Sequence, residues 1–151
     1  MTSYDLGFDK LTKVGSYLGA GKALVAWEDW RPFSLIALGL TDFAGVNRLV
    51  GHVAGNAALC EVARRIGRAI PAVPDSYLPR IGGDSFLVLV RTDERPARAL
   101  AERLVQAVGA PYQVDQQAVT LQARTAVLSV FEVRSDLIDS ALAALAHSAP
   151  S

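Results

Sequence analysis

Residues 80–90 read RIGGDSFLVLV, with two adjacent glycines, Asp84 and Ser85 set between apolar runs and Arg80 directly in front. A carboxylate on such a turn can ligate a hard cation: magnesium is commonly held by one or two carboxylates together with waters and phosphate oxygens. Arg80 is the neighbouring group able to touch a phosphate, although an exposed arginine at a strand end needs no such role. The turn also has a plain reading, since Gly82-Gly83 between apolar runs is a hairpin signal and glycine reaches positive φ without steric cost. Other chemistries are not assembled. His52 and His147 lie far apart in sequence, with no cysteine or acid at zinc-ligand spacing. No Ser/His/Asp set, cysteine nucleophile or phosphate-binding loop is present, and the one cysteine, Cys60, has no internal disulfide partner.

The elements that position these groups follow from periodicity. FSLIALGL (33–40) reads as a strand buried on both faces. A short helix over 43–50 and a longer one over 53–70 follow. Leu59, Val62, Ile66 and Ile70 form the apolar stripe of the second helix, and Glu61, Arg64, Arg65 and Arg68 its solvated face. A strand near 77–82, the glycine turn and the strand FLVLVR form a hairpin. The helix over 94–108 carries the stripe Ala97, Leu100, Ala101, Leu104, Val105 and Val108, with Asp93 as N-cap and Gly109 at its end. PYQV and VTLQARTAVLSV are two strands joined by a turn at Asp115-Gln116, and SDLIDSALAALAHS is a final helix with Ser135 as N-cap. Residues 9–28 are read as an opening helix, interrupted by Gly15, Gly19 and Gly21, with Trp27 and Trp30 packing near the entry to the core. This order predicts an α/β (α+β) layer fold: a mixed, mainly antiparallel sheet of about five strands, flanked by helices, with the glycine signature on a β-hairpin.

Composition bounds the partners. The 151 residues are 51% hydrophobic and balanced in charge, with 15 basic and 15 acidic side chains. That gives no support for nucleic-acid binding through bulk charge, and no apolar run is long enough to span a bilayer. No secretory signal is visible at the N-terminus, so a cytoplasmic location is expected.

The same order of elements, with several short motifs, resembles the GGDEF domain, the diguanylate cyclase family of bacterial signalling. DKLT (Asp9–Thr12) is similar to the family's opening D-x-L-T. FAGVNRLVGHVAG (Phe43–Gly55) follows its F-K-x-I-N-D-x-x-G-H-x-x-G pattern, IGGDSF (Ile81–Phe86) its signature, and SDLIDSALAAL its last helix. The resemblance implies a nucleotide-cyclase-like, ferredoxin-like fold. It divides the chain into a tail at 1–8, a degenerate GGDEF domain at 9–148 and a tail at 149–151. In that family two domains face each other, each holding one GTP, and join the two into cyclic dimeric GMP with magnesium held by carboxylates.

Position by position, most of that chemistry is absent. The signature positions are Gly82, Gly83, Asp84, Ser85 and Phe86, so the glutamate that follows the aspartate is Ser85. The first-strand metal aspartate falls on Gly39, the second acidic position on Thr41, and the two phosphate-binding lysines on Ala44 and Ala146. No catalytic residue is therefore expected. Asp84 is the one metal candidate, and no cofactor is required, with magnesium arriving only together with GTP. The nucleotide-binding candidates are Asn47, Arg48, Asn56, Arg80, Gly83 and Asp84. Arg48 replaces an acidic acceptor by a group with donors only, and Asn56 keeps an acceptor without the charge, which weakens guanine selectivity. The family's R-x-x-D inhibitory product site falls on Val73 and Ser76, so no such site is expected. The resemblance implies a regulatory or scaffolding domain that pairs with an EAL phosphodiesterase domain, a sensor domain or a second copy of itself. The alternative is an active cyclase with a rearranged metal site built on Asp42 and Asp84.

Overall fold

The computed structural model describes residues 7–147 except Val73 and Asp115. Val73 of the missing product site, Asp115 of the predicted turn, and the tail residues 1–6 and 149–151 lie outside the described residues.

The centre of the molecule is β1 (Phe33–Thr41), whose first eight residues are all buried. A strand with apolar residues on both faces is stable only between two covered layers. β1 pairs antiparallel with β3 (Ser85–Val90) on one side and with β6 (Gln122–Val130) on the other. With β2 (Ser76–Tyr77) at the edge, the sheet order is β2-β3-β1-β6. β4 (Tyr112–Val114) and β5 (Gln117–Val119) form a separate antiparallel ribbon.

Alternation along β1 divides the core. Ile36, Leu38 and Leu40 pack with α2 (Phe43–Val50), α3 (His52–Ala69) and α4 (Glu94–Gly109). Leu35 and Ala37 pack with α1 (Tyr17–Ala26) and α5 (Leu137–Ala146) on the opposite face. Trp27 is buried there, its ring centroid 5.2 Å from those of Trp30 and Phe33, as a packing residue should be.

Several elements differ from the sequence expectation. The main sheet has four strands, because the second half of the expected pair breaks at Thr120-Leu121 into β5 and β6. The opening helix starts only at Tyr17, where Ser16 accepts from the Gly19 N–H at 3.0 Å. Before it, Asp9 accepts from the Thr12 N–H and hydroxyl at 2.9 and 2.7 Å, a local pattern that competes with helix. The strand expected over 77–82 shrinks to Ser76–Tyr77 followed by isolated bridges at Pro79 and Arg80, since proline cannot donate to a ladder. At the last helix the cap position is Asp136 instead of Ser135.

Arg65 is not a solvated member of its cluster. It donates to the carbonyls of Ala107, Ala110 and Pro111 and lies 3.7 Å from the centroid of the Tyr112 ring. It thereby caps the C-terminus of α4. Cys60 is half-buried and its thiol donates to the Leu11 carbonyl at 3.3 Å.

Candidate functional site

The site lies where β1 ends, bounded by the signature hairpin, the start of α2 and the first turns of α3. Asp42, directly after β1, sits in the left-handed region at φ 55° and its carboxylate accepts from the Gly45 N–H at 3.2 Å. Short polar side chains tolerate this conformation because they bond locally. Asp42 is therefore the N-cap of α2, and its carboxylate is turned to the helix.

Gly51, at φ 88°, ends α2 and begins α3 in one residue. The resulting tight joint lays Asn47 over Gly55, where any Cβ would overlap the Asn47 amide oxygen. That oxygen is buried without a hydrogen-bond partner.

The hairpin closes through the Ser85 carbonyl, which accepts from the Ile81 and Gly82 N–H groups at 2.9 and 3.3 Å. The Leu40 N–H donates to the Asp84 carbonyl at 3.0 Å and so ties the turn to β1. Neither Gly82 nor Gly83 is among the residues of positive φ, contrary to the reason expected for the pair. What the turn does require is access to its carbonyls. Arg80 Nε donates to Gly82 O at 3.1 Å, Nη2 to Gly83 O at 2.6 Å, and Nη1 to the Asp9 carboxylate at 3.2 Å. All three guanidinium nitrogen atoms of Arg80 are thus engaged within the chain, and it clamps the hairpin. Burial works to raise the Asp9 pKa, but the bonds from Thr12 and the Arg80 guanidinium outweigh it and hold the carboxyl below its ordinary range.

Between these parts is a cavity of about 310 Å³ lined by Phe43, Ala44, Asn47, Asn56, Arg80, Gly83 and Asp84, with Leu59 at its base. It gathers five of the six expected nucleotide contacts. Arg48 is exposed and does not line it. Asp84 is half-buried and accepts from the Ser85 hydroxyl at 3.3 Å. Ala44, where a lysine would stand, is exposed. His52 is exposed as the first residue of α3.

The residues present do not fit a divalent metal. Gly39 stands opposite Ser85 on β3, and a Cβ there would lie 2.8 Å from Leu145 Cδ2 of α5. Any side chain at position 39 would therefore have to turn the end of Leu145 aside. Thr41 Oγ1 is buried with no hydrogen-bond partner. Among the described residues no three His, Cys, Asp or Glu side chains come together.

Sequence reading missed three of these features. Leu145 over Gly39 depends on where α5 crosses the sheet, and no local signal gives that. The Asp9–Arg80 pair joins residues 71 positions apart, and the DKLT motif gave no partner for Asp9. Arg124, half-buried on β6 opposite Gly39, needed the strand register.

Comparison with known proteins identifies the family. Residues 21–148 match the family model described as diguanylate cyclase, GGDEF domain. The chain is 35% identical over 126 residues to the bifunctional diguanylate cyclase/cyclic di-GMP phosphodiesterase MucR of Pseudomonas aeruginosa, covering 81% of this chain and 18% of that protein. Diguanylate cyclase SiaD of the same organism, solved with its activator SiaC, superposes with a TM-score of 0.84 at 25% identity, over 92% of this chain and 56% of that one. An EAL/GGDEF domain protein from M. capsulatus superposes with a TM-score of 0.73 at 26% identity, over 84% of each chain. The chain spans less than a fifth of the length of MucR. A hairpin signature, a two-helix joint and a sheet arranged as in these relatives, matched over most of the residues, make this chain a member of the GGDEF domain family.

Proposed function

We propose that this domain is a catalytically inactive GGDEF module of cyclic dimeric GMP signalling, acting through contacts with partner or neighbouring domains and holding nucleotide weakly in the cavity beside the signature. The observation that carries this reading is Leu145 packed into the space over Gly39. Joining two nucleotides needs metal ions to stabilise charge on the phosphates. Here the first-strand carboxylate is absent and an apolar leucine side chain packs over the glycine that stands in its position. The active alternative built on Asp42 and Asp84 is disfavoured because Asp42 already caps α2.

Partners in this reading are an EAL phosphodiesterase domain, a sensor domain or a second copy of the module, in the cytoplasm. Support comes from the relatives, one of which is bifunctional and one of which joins EAL and GGDEF domains. Among the described residues no helix is long and apolar enough to cross a membrane. Incubation of the purified domain with GTP and magnesium, followed by chromatography, should yield no cyclic dinucleotide. Product at ordinary enzymatic rates, lost in Asp84→Ala, would establish the active alternative.

A further inference from the structure

The cavity beside the signature has an apolar floor and a polar rim. Phe43 and Leu59 form the floor, and both are buried. Asn56 stands one turn before Leu59 on α3 and lines the same cavity, with its side chain exposed. Among the described residues that side chain has no hydrogen-bond partner, whereas the Arg80 guanidinium is fully engaged by the hairpin and Asp9. The α2–α3 joint sets a second amide beside it, because Asn47 packs over Gly55, the residue before Asn56. The helix side of the cavity therefore carries two neutral amides and no carboxylate. The one acid of the lining, Asp84, belongs to the hairpin.

A side-chain amide offers an acceptor oxygen and an NH2 donor side by side. Adenine sets an amino donor beside a ring-nitrogen acceptor, so one asparagine pairs with it through two bonds. Guanine sets two N–H donors side by side, next to its carbonyl. An amide that pairs with the carbonyl and the ring N–H leaves the 2-amino group unmet, and an unmet donor is penalised in proportion to its burial. A carboxylate, with acceptors only, reverses the preference: it meets both guanine donors and faces the adenine ring nitrogen with like charge density.

We infer that Asn56 sets the base specificity of this cavity, so that it takes adenine nucleotides at least as well as guanine nucleotides. The volume of about 310 Å³ lies at the small end of the range for ligand sites and suits one base laid on the Phe43–Leu59 floor. This rests on the nucleotide-binding reading above and names the base.

The test is isothermal titration of the purified domain with ATP, GTP and, as a pyrimidine control, CTP, in one magnesium-containing buffer, for the wild type and Asn56→Asp. Thermal melting verifies that both proteins are folded. The expected result is that the wild type binds ATP at least as tightly as GTP and CTP at least about fivefold more weakly, and that Asn56→Asp moves the ratio of the two purines at least about fivefold towards GTP, the effect of one charged acceptor. Should the variant fail to fold, the wild-type order of the three ligands decides alone. Tighter binding of GTP than of ATP by the wild type overturns this inference and leaves the nucleotide-binding reading standing. Equal binding of all three, or a purine ratio unmoved in Asn56→Asp, does the same, since the base is then not read at this position. No binding of any of the three removes both.

Discussion

Asp9 shows how much one side chain can organise. Its carboxylate fixes the turn before α1 through Thr12 and holds Arg80 against the signature hairpin. Replacing it by Asn should destabilise the domain by about 1–3 kcal/mol in urea unfolding, the range for bonds to charged groups. The pH dependence has a definite sign. A folded-state pKa below the unfolded value gives a contribution that is full above the ordinary aspartate range, near pH 4, and is lost as pH falls through the lowered value. Asp9→Asn should flatten the acid limb of the stability curve there, and a steeper limb would contradict the account. At Gly39, introduction of Asp alone should destabilise the domain, because it sets an unpaired carboxylate at a buried position against the apolar Leu145 side chain, which must turn aside. The double change Gly39→Asp with Leu145→Ala opens that space, and it should gain a magnesium-dependent shift in melting temperature that Gly39→Asp alone lacks.

At the scale of elements, the joint between α2 and α3 is the most sensitive to a small change. Gly55→Ala must displace Asn47, so it should cost about 1–3 kcal/mol by overpacking, read as a lowered midpoint in urea unfolding. The ribbon beside α4 titrates at the other end of the pH scale. Burial, opposed by Arg65, pushes the Tyr112 hydroxyl up to about 12, and that hydroxyl donates to the Val108 carbonyl at 2.7 Å. Its stabilising contribution is full below about pH 10, the ordinary tyrosine value, and is lost as pH rises from there towards 12. In Tyr112→Phe the difference from wild type should therefore vanish across that interval; a constant difference would mean that the proton plays no part. These elements were legible in the sequence to unequal degrees. β1 and α4 were plain from their apolar patterns, and the motif FAGVNRLVGHVAG marked the α2–α3 joint. The late start of α1 and the break at Thr120-Leu121 were not legible, because a carboxylate–backbone turn and a sheet edge decide them, and neither leaves a periodic trace.

For the whole molecule, β1 is shared by two cores that touch opposite faces of one sheet. Leu35→Ala and Ile36→Ala, neighbours in sequence that point into different cores, should each cost about 2–5 kcal/mol. Both should unfold in one transition with the wild-type urea slope, seen alike by far- and near-UV circular dichroism. A second transition would show that the layers separate. The site at the end of this sheet was legible as a list of missing groups. What packs over the missing acid, Leu145 from α5, emerges only once distant segments are packed.

That packing couples position 39 on the central strand to position 145 on the last helix. Any side chain added at the first must turn the second aside, so the two are adjusted as a pair whenever this end of the sheet is redesigned.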